Sequence, residues 1–222
     1  MNPAHKSLFI HIPKCGGTSM ECGGIPWSRG DGHNTLTDYL LAFPGCHAYF
    51  KWTFVRNPYD RIASCWASIY RVHERMPNHK AVVKWTPLMR KYRTINDTFY
   101  VFLEMLYAER EKLQELDGLQ WCWMPPLKMP YTRVHFFPMV SLLRHKGKLG
   151  MDFVGKVEDI GQGWGKVCDA FGQFVPLSTQ NAHKKKFGIA PSYDEMLNQR
   201  SARKMVGEIY KEDFEAFEYA AS

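Results

Sequence analysis

Two apolar runs, each followed by a loop and a helix-like segment, constrain the fold of this chain more than any other feature. The first run, residues 7–12 (SLFIHI), precedes Pro13 and the loop sequence KCGGTS. The second run, residues 48–55 (AYFKWTFV), is rich in aromatic and β-branched residues, and Pro58 after it suits a first helical turn. Strand, loop and helix therefore occur twice near the start of the chain, which is typical of α/β proteins.

The same alternation continues further along the chain. Residues 151–160 (MDFVGKVEDI) form a third strand candidate, and the helix-like sequence GWGKVCDAFGQF follows them. Helices are also predicted from about Thr35, capped by that residue or Asn34, and from about Asp97 to near Gly118. The pattern predicts an α/β fold, a single P-loop-like domain over residues 1–222 with a central parallel sheet flanked by helices.

Two further segments complete the prediction. Adjacent prolines in WCWMPPLKMP favour a loop that could form a wall of a substrate site. Trp121 and Trp123 could stack on a sugar ring or belong to the core. The C-terminal stretch is predicted to be helical, with Ser192 and Glu195 at the spacing of a capping box.

Composition narrows the class of protein. The chain has 222 residues, of which 45% are hydrophobic, and no apolar run approaches the roughly 18 residues of a membrane span. No signal-peptide pattern opens it, so we expect a cytoplasmic protein with no membrane partner. A formal net charge of +7 favours anionic ligands, but it does not choose among nucleotides, glycans and nucleic acid. Six scattered cysteines without a CxxC pair predict reduced thiols and no metal site.

The loop after the first strand has the chemistry of a phosphate cradle. Gly16 and Gly17 allow backbone N–H groups to close on an oxyanion, Thr18 and Ser19 add hydroxyl donors, and Lys14 adds a positive charge. In the Walker A motif the lysine follows the glycines and precedes Ser or Thr, whereas Lys14 precedes them. The sequence therefore disfavours a conventional ATP or GTP site.

These residues resemble those of sulfotransferases that use 3'-phosphoadenosine-5'-phosphosulfate (PAPS). PKCGGTSM is similar to their 5'-phosphosulfate loop, which assigns donor binding to Lys14, Cys15 and residues 16–19. FVRNPYDRIASCW is similar to their 3'-phosphate motif, with Arg56 at the strand end and Ser64 eight residues later. An arginine at a strand exit and a serine about two helical turns on can converge on one phosphate. Arg61 is a weaker candidate for the same role.

The resemblance extends to later segments and narrows the branch of the family. HFFPMVSLLRHKGKLGMDFVGKVEDI and YKEDFEAFEY are similar to the carbohydrate-type branch that includes heparan sulfate 2-O-sulfotransferase. The resemblance implies PAPS as the donor, the corresponding 3',5'-bisphosphate (PAP) as the product, and a carbohydrate or small-molecule hydroxyl as the acceptor. Pro138 and Met139 stand where many relatives have Pro-Gln, which leaves the acceptor open.

Two residues are predicted to carry the chemistry. Lys14 is expected to stabilise negative charge on the leaving phosphate. His33 is the predicted general base, since imidazole accepts a proton near neutral pH and the resembled branch has a histidine between its two donor motifs. Asp31 and Glu21 are the alternative bases, disfavoured because an ordinary carboxylate is too weak a base.

The predicted function is therefore transfer of the PAPS sulfuryl group to an acceptor hydroxyl by in-line displacement. A P-loop nucleotide kinase or NTPase, and a non-catalytic anion-binding module, are the alternatives. Neither nucleic acid nor metal is expected at the site. The loop HKKKF, which contains Lys184 and Lys186, could contact the adenosine 3'-phosphate, close as a lid, meet an acidic acceptor or be a solvated loop. A second basic zone at residues 71–93 would suit a polyanionic glycan. The oligomeric state stays open.

Overall fold

The structure of the protein is a computed structural model, which describes residues 1–21, 33–79, 85–92, 94–113, 133–177 and 193–221. Within these ranges the strands are β1 (Ser7–Phe9), β2 (Phe50–Val55), β3 (Arg144–His145), β4 (Lys148–Leu149) and β5 (Phe153–Lys156). The α-helices are α1 (Gly17–Glu21), α2 (Leu36–Ala42), α3 (Pro58–Arg75), α4 (Thr86–Lys91), α5 (Ile95–Ala108), α6 (Met139–Leu143), α7 (Ile160–Phe171), α8 (Tyr193–Met196), α9 (Arg200–Ile209) and α10 (Lys211–Ala216).

The described residues form two packed units. The first takes its described residues from 1–56 and 139–186, and the second from 57–116, 124–138 and 187–222. The five strands lie in the first unit, together with α1, α2, α6 and α7. The second unit consists of the remaining helices and their connections. The single domain expected from chain length stays a prediction.

A three-stranded parallel sheet forms the centre of the first unit. Its strand order is β1-β2-β5, so β2 pairs with both neighbours. The register sets Phe9 opposite Trp52, and Val55 opposite Lys156. The pairing of β1 continues past its end, because the Ile10 N–H donates to the Trp52 carbonyl at 3.1 Å. In a parallel sheet all strands run the same way, so the segments that follow β1, β2 and β5 leave from one edge.

Aromatic side chains join this sheet to α7. Phe9, Trp52 and Phe54 form a buried cluster with Trp164 and Val167 of that helix. The helix approaches the sheet closely at two glycines: an added Cβ on Gly155 would lie 2.5 Å from the Phe54 ring, and one on Gly163 would lie 2.7 Å from it. The Phe54 ring therefore fills the space that two side chains would otherwise need.

Local sequence signals account for the starts of the helices in both units. Thr35 caps α2 in a reciprocal box with Asp38, whose amide donates to the Thr35 hydroxyl at 3.0 Å and whose carboxylate accepts from the Thr35 N–H at 2.7 Å. Asn57 caps α3, and Pro58 occupies its first turn. Both positions agree with the sequence-based expectation. The helix predicted from about Asp97 to near Gly118 begins earlier, because Thr94 is its N-cap, and it ends earlier, at Ala108.

In the second unit, α3 packs against α5. The Trp66 ring stacks on Phe102 with centroids 4.5 Å apart, and its indole N–H donates to the Thr98 hydroxyl at 3.2 Å. A buried tyrosine, Tyr210, donates through its hydroxyl to the Phe136 carbonyl at 2.8 Å. These polar contacts satisfy buried donors and fix how the helices of this unit pack.

The predicted fold class is confirmed: the chain is a mixed α/β protein with a central parallel sheet and helices packed beside it. The predicted C-terminal helical stretch consists of α8, α9 and α10. No sequence signal predicted the β3–β4 hairpin. Asp31, Gly118, the WCWMPPLKMP loop with its two tryptophans, Ser192 and the HKKKF loop lie outside the described residues. No helix in the described ranges is both long enough and apolar enough to cross a membrane.

Candidate active site

A tight turn follows β1 and places Lys14 in an unusual backbone conformation. The Cys15 N–H donates to the Ile12 carbonyl at 3.3 Å, with Pro13 and Lys14 at the two central positions of the turn. Lys14 has a φ of 66°, in the left-handed region. Proline followed by a residue with positive φ is the pattern of a type II turn, whose third position is normally glycine. A lysine there carries backbone strain, which occurs preferentially at functional sites.

The glycines that follow this turn allow close packing around the loop. Gly16 also has a positive φ, 78°, and an added Cβ there would lie 3.5 Å from Ile160 and 3.9 Å from Val157. The segment after β5 therefore packs against the loop after β1. Gly17 faces His11 instead: an added Cβ would lie only 2.1 Å from His11 Nε2. No other residue could occupy position 17 without displacing that ring.

The remaining loop residues close the turn into α1. The Ser19 N–H donates to the Gly16 carbonyl at 2.9 Å, while Thr18 is part of the helix backbone. Cys15 is buried, and its thiol lies 3.7 Å from the Met139 sulfur. These bonds use the N–H groups of Cys15 and Ser19, so the N–H groups at 16–18 are the loop's candidates for an anion. Cys15 therefore stabilises the loop through its backbone N–H and through the packing of its thiol.

His33 lies beside the same loop. Its Nδ1 is 3.0 Å from the His11 carbonyl oxygen, and the two imidazole rings meet edge to face with centroids 4.6 Å apart. A carbonyl oxygen can only accept, so Nδ1 carries the proton in this hydrogen bond. Neutral His33 is therefore the Nδ1–H tautomer, in which Nε2 carries the lone pair.

Arg56 follows β2 directly at the edge from which the Lys14 loop leaves β1. The two strands are hydrogen-bonded neighbours, about 4.8 Å apart in such a sheet. The Thr53 hydroxyl donates to the Ile10 carbonyl at 2.7 Å and so ties the two strand ends together. Both strand-to-helix corners lie at this shared edge, and the expectation that they serve one site stays a prediction.

Ser64 and Arg61 belong to the second unit, on α3. Ser64 is 2% exposed, and Arg61 is 1% exposed and donates through Nη1 to the Phe137 carbonyl at 2.8 Å. Arg61 therefore has a structural contact within its own unit, which makes it a poorer candidate for phosphate binding. The assignment of Ser64 to the 3'-phosphate stays a prediction from its spacing to Arg56.

Sequence reasoning missed two residues at this edge. Lys156 is the last residue of β5 and pairs with Val55, the residue before Arg56. It therefore adds a second cation at this edge of the sheet. The sequence contains a signal for Lys156, because this lysine follows the apolar residues of the third strand candidate. The second residue is His11, whose ring lies between Gly17 and His33. Nothing in the spacing of residues 11, 17 and 33 predicts that contact.

Comparison with known proteins adds one finding to this geometry. A family model described as the sulfotransferase family matches residues 45–220, which include Arg56 and Ser64 and exclude Lys14 and His33. No curated protein and no solved structure matches the chain at a significant level.

Proposed function

The chain belongs to the sulfotransferase family, and from that premise we propose that it transfers the sulfuryl group of PAPS to an acceptor hydroxyl of a carbohydrate. The supporting observation is the shared sheet edge: the Lys14 loop follows β1, and Arg56 follows its parallel neighbour β2. Ligands of α/β proteins bind outside the carboxyl ends of the strands, which is where both residues lie.

The residues at this edge fit an adenosine donor with phosphates at both ends. The loop offers backbone N–H groups at 16–18 and the Lys14 ammonium for the 5'-phosphosulfate, and Arg56 offers a charged fork for the 3'-phosphate. Gly16 and Gly17 let Ile160 and the His11 ring pack against the loop backbone, where an added Cβ would displace them. PAPS, when bound, supplies the activated sulfuryl group, and the protein supplies binding, orientation and proton transfer.

Lys14 and His33 have different roles in this reaction: Lys14 stabilises charge, and His33 accepts a proton. Negative charge grows on the leaving phosphate during transfer, and Lys14 stabilises that charge more strongly in the transition state than before it. His33 Nε2 removes the proton from the attacking hydroxyl, while Nδ1 stays bonded to the His11 carbonyl. A positioned base of this kind typically contributes about 10²- to 10⁴-fold in rate.

The acceptor assignment rests on the similarity to the carbohydrate-type branch and on the net charge of +7. A basic surface favours acidic acceptors such as sulfated or carboxylated glycans over neutral alcohols. We also retain the expectation of a cytoplasmic enzyme.

The donor assignment is tested by calorimetry without Mg²⁺. Wild-type protein should bind PAP more tightly than 5'-AMP, which lacks the 3'-phosphate. Arg56→Ala should weaken PAP binding by about 10- to 100-fold, the worth of a charge-assisted hydrogen bond, and leave 5'-AMP binding unchanged. Arg200→Ala, which removes an exposed arginine at the start of α9, is the matched control.

The reaction is tested by mass spectrometry of glycans and small alcohols incubated with PAPS, where each transfer adds one sulfuryl group to the acceptor. Binding of Mg²⁺-ATP in preference to PAP would refute the proposal in favour of a nucleotide kinase. PAP binding without transfer to any acceptor, in a protein with intact His33, would favour an anion-binding module.

A further inference from the structure

His11 makes three contacts that no step of the proposed reaction uses. Its ring stacks on Phe9 with centroids 5.8 Å apart, meets the His33 ring edge to face at 4.6 Å, and occupies the space beside Gly17. Its main-chain carbonyl accepts from His33 Nδ1 at 3.0 Å. His11 therefore contacts the loop of residues 14–19, the proposed donor loop, with its side chain. It contacts His33, the proposed base, with both its side chain and its backbone.

The hydrogen bond from His33 to the His11 carbonyl sets the tautomer of His33, and the contact with the His11 ring sets the position of the His33 side chain. The His11 carbonyl follows β1 by two residues, and the Ile10 carbonyl between them is held by the Thr53 hydroxyl. The carbonyl is therefore a fixed reference point. The ring then separates the His33 imidazole from the Gly17 backbone, and so sets the gap between base and donor loop.

We propose that His11 is a positioning residue for sulfuryl transfer: its carbonyl holds His33 in the Nδ1–H tautomer, and its ring, wedged between Gly17 and His33, fixes the distance from the base to the donor loop. This inference rests on the proposed function only where it treats His33 as the base. The placement itself is a property of the protein without substrate.

Position matters because proton transfer and in-line attack tolerate little displacement. A shift of about 1 Å at a reacting group costs up to about 10²-fold in rate. Without the His11 ring, His33 has room to turn toward the loop, and the bond from Nδ1 to the carbonyl loses its support. A mixture of tautomers follows, in which part of the population has its proton on the wrong nitrogen.

The test compares His11→Ala with His11→Phe, which keeps an aromatic wedge. Imidazole ¹⁵N chemical shifts report the tautomer of His33, whose resonances are assigned by their loss in His33→Gln. We expect wild-type protein and His11→Phe to show the Nδ1–H form, and His11→Ala to show an increased Nε2–H population. Turnover with PAPS should fall about 10-fold or more in His11→Ala, chiefly in kcat, and stay within about 3-fold of wild type in His11→Phe. His79→Ala, at an exposed histidine of the second unit, is the control for loss of an imidazole.

Each outcome decides the matter. An unchanged His33 tautomer with unchanged kcat in His11→Ala would overturn the proposal. Loss of turnover in His11→Phe with His33 still in the Nδ1–H form would overturn it too, because the His11 nitrogens would then do chemistry. If His11→Ala unfolds, the His11→Phe arm still decides. Absence of sulfuryl transfer in wild-type protein would refute the proposed function, whereas the ¹⁵N shifts would still test the placement of His33.

Discussion

Lys14 combines a backbone conformation that favours glycine with a side chain that glycine lacks. A non-glycine residue at positive φ in this turn costs about 1 kcal/mol or more. A stability argument alone therefore disfavours lysine at this position. Lys14 is therefore explained by its positive charge, which glycine would not supply to the proposed donor loop.

We accordingly predict that Lys14→Gly separates stability from activity. The variant should be as stable as wild type, or more stable by up to about 1 kcal/mol, because glycine removes the strain but adds entropy to the unfolded chain. Sulfuryl transfer should fall by about 10²- to 10³-fold, the usual effect of removing a group that stabilises developing charge. Urea unfolding and PAPS turnover measure the two effects. A Lys14→Gly enzyme with full activity would exclude Lys14 from catalysis.

The second prediction for a single residue concerns His145, in the β3–β4 hairpin, and the pH dependence of stability. Burial lowers the pKa of His145, and the nearby positive charge of Lys146 and the ring of His47 lower it further. The unfolded chain therefore binds more protons than the folded protein near this pKa, so stability rises with pH there. This contribution is present above about pH 6.5, the ordinary pKa of histidine, and is lost as the pH falls toward the lower pKa of the folded protein.

His145→Asn should therefore show a smaller fall in Tm between pH 7 and pH 5 than wild type. His79→Asn, at an exposed position, is the control for replacing a histidine. An identical pH dependence in His145→Asn and wild type would mean that this imidazole does not lose protonation on folding.

At the scale of elements, the loop between β1 and α1 packs closely against one side chain, the ring of His11. Gly17 does not have a positive φ, so the obstacle to alanine there is the His11 ring, 2.1 Å from an added Cβ. Gly17→Ala should displace that ring and destabilise the protein by about 1–3 kcal/mol, the usual cost of overpacking. Turnover should fall to a level similar to that of His11→Ala.

A double-mutant cycle checks this contact. With the ring removed, the Cβ has room, so His11→Ala/Gly17→Ala should be no less active or stable than His11→Ala alone. Gly165→Ala is the matched control, since an added Cβ at Gly165 meets nothing within 4 Å and lies inside α7. That substitution should be neutral or stabilising by up to about 1 kcal/mol. Additive effects of the two loop substitutions would show that His11 and Gly17 act independently.

The elements that the sequence predicts well are those governed by local chemistry. Thr35 marks a helix start as an N-cap and Pro58 marks one as a first-turn proline, and both signals depend only on neighbouring residues. The aromatic run before Arg56 has the composition of a strand. The loop sequence predicts a donor site from its chemistry, and that assignment stays a prediction. The role of His11 was missed because it depends on contacts with residues 17 and 33 across a turn, which hydrophobic periodicity does not encode.

At the scale of the whole molecule, the open question is whether two packed units unfold as one domain. Trp52 and Trp164 belong to the first unit, and Trp66 and Trp85 belong to the second. Tryptophan-to-phenylalanine variants that leave fluorescence from one unit at a time therefore report each unit separately. The single domain predicted from chain length requires that both report the same transition.

We predict one thermal transition, which PAP shifts as a whole. A ligand that binds only the folded protein stabilises it by about 2.7 kcal/mol at one hundred times its Kd. Tm should therefore rise with PAP concentration in fluorescence from either unit, and 5'-AMP at the same concentration should give a smaller shift. Two transitions, of which PAP moves only one, would mean that the units are separate domains.

The packing of Phe54 against Gly155 and Gly163 bears on how this sequence can diverge over evolution. Neither glycine can acquire a side chain while the phenyl ring is present, and shrinking that ring alone leaves a void between sheet and helix. These three positions should consequently covary among homologues, with larger residues at 155 or 163 accompanied by a smaller one at 54. A lineage that changes any one of them first passes through a less fit intermediate.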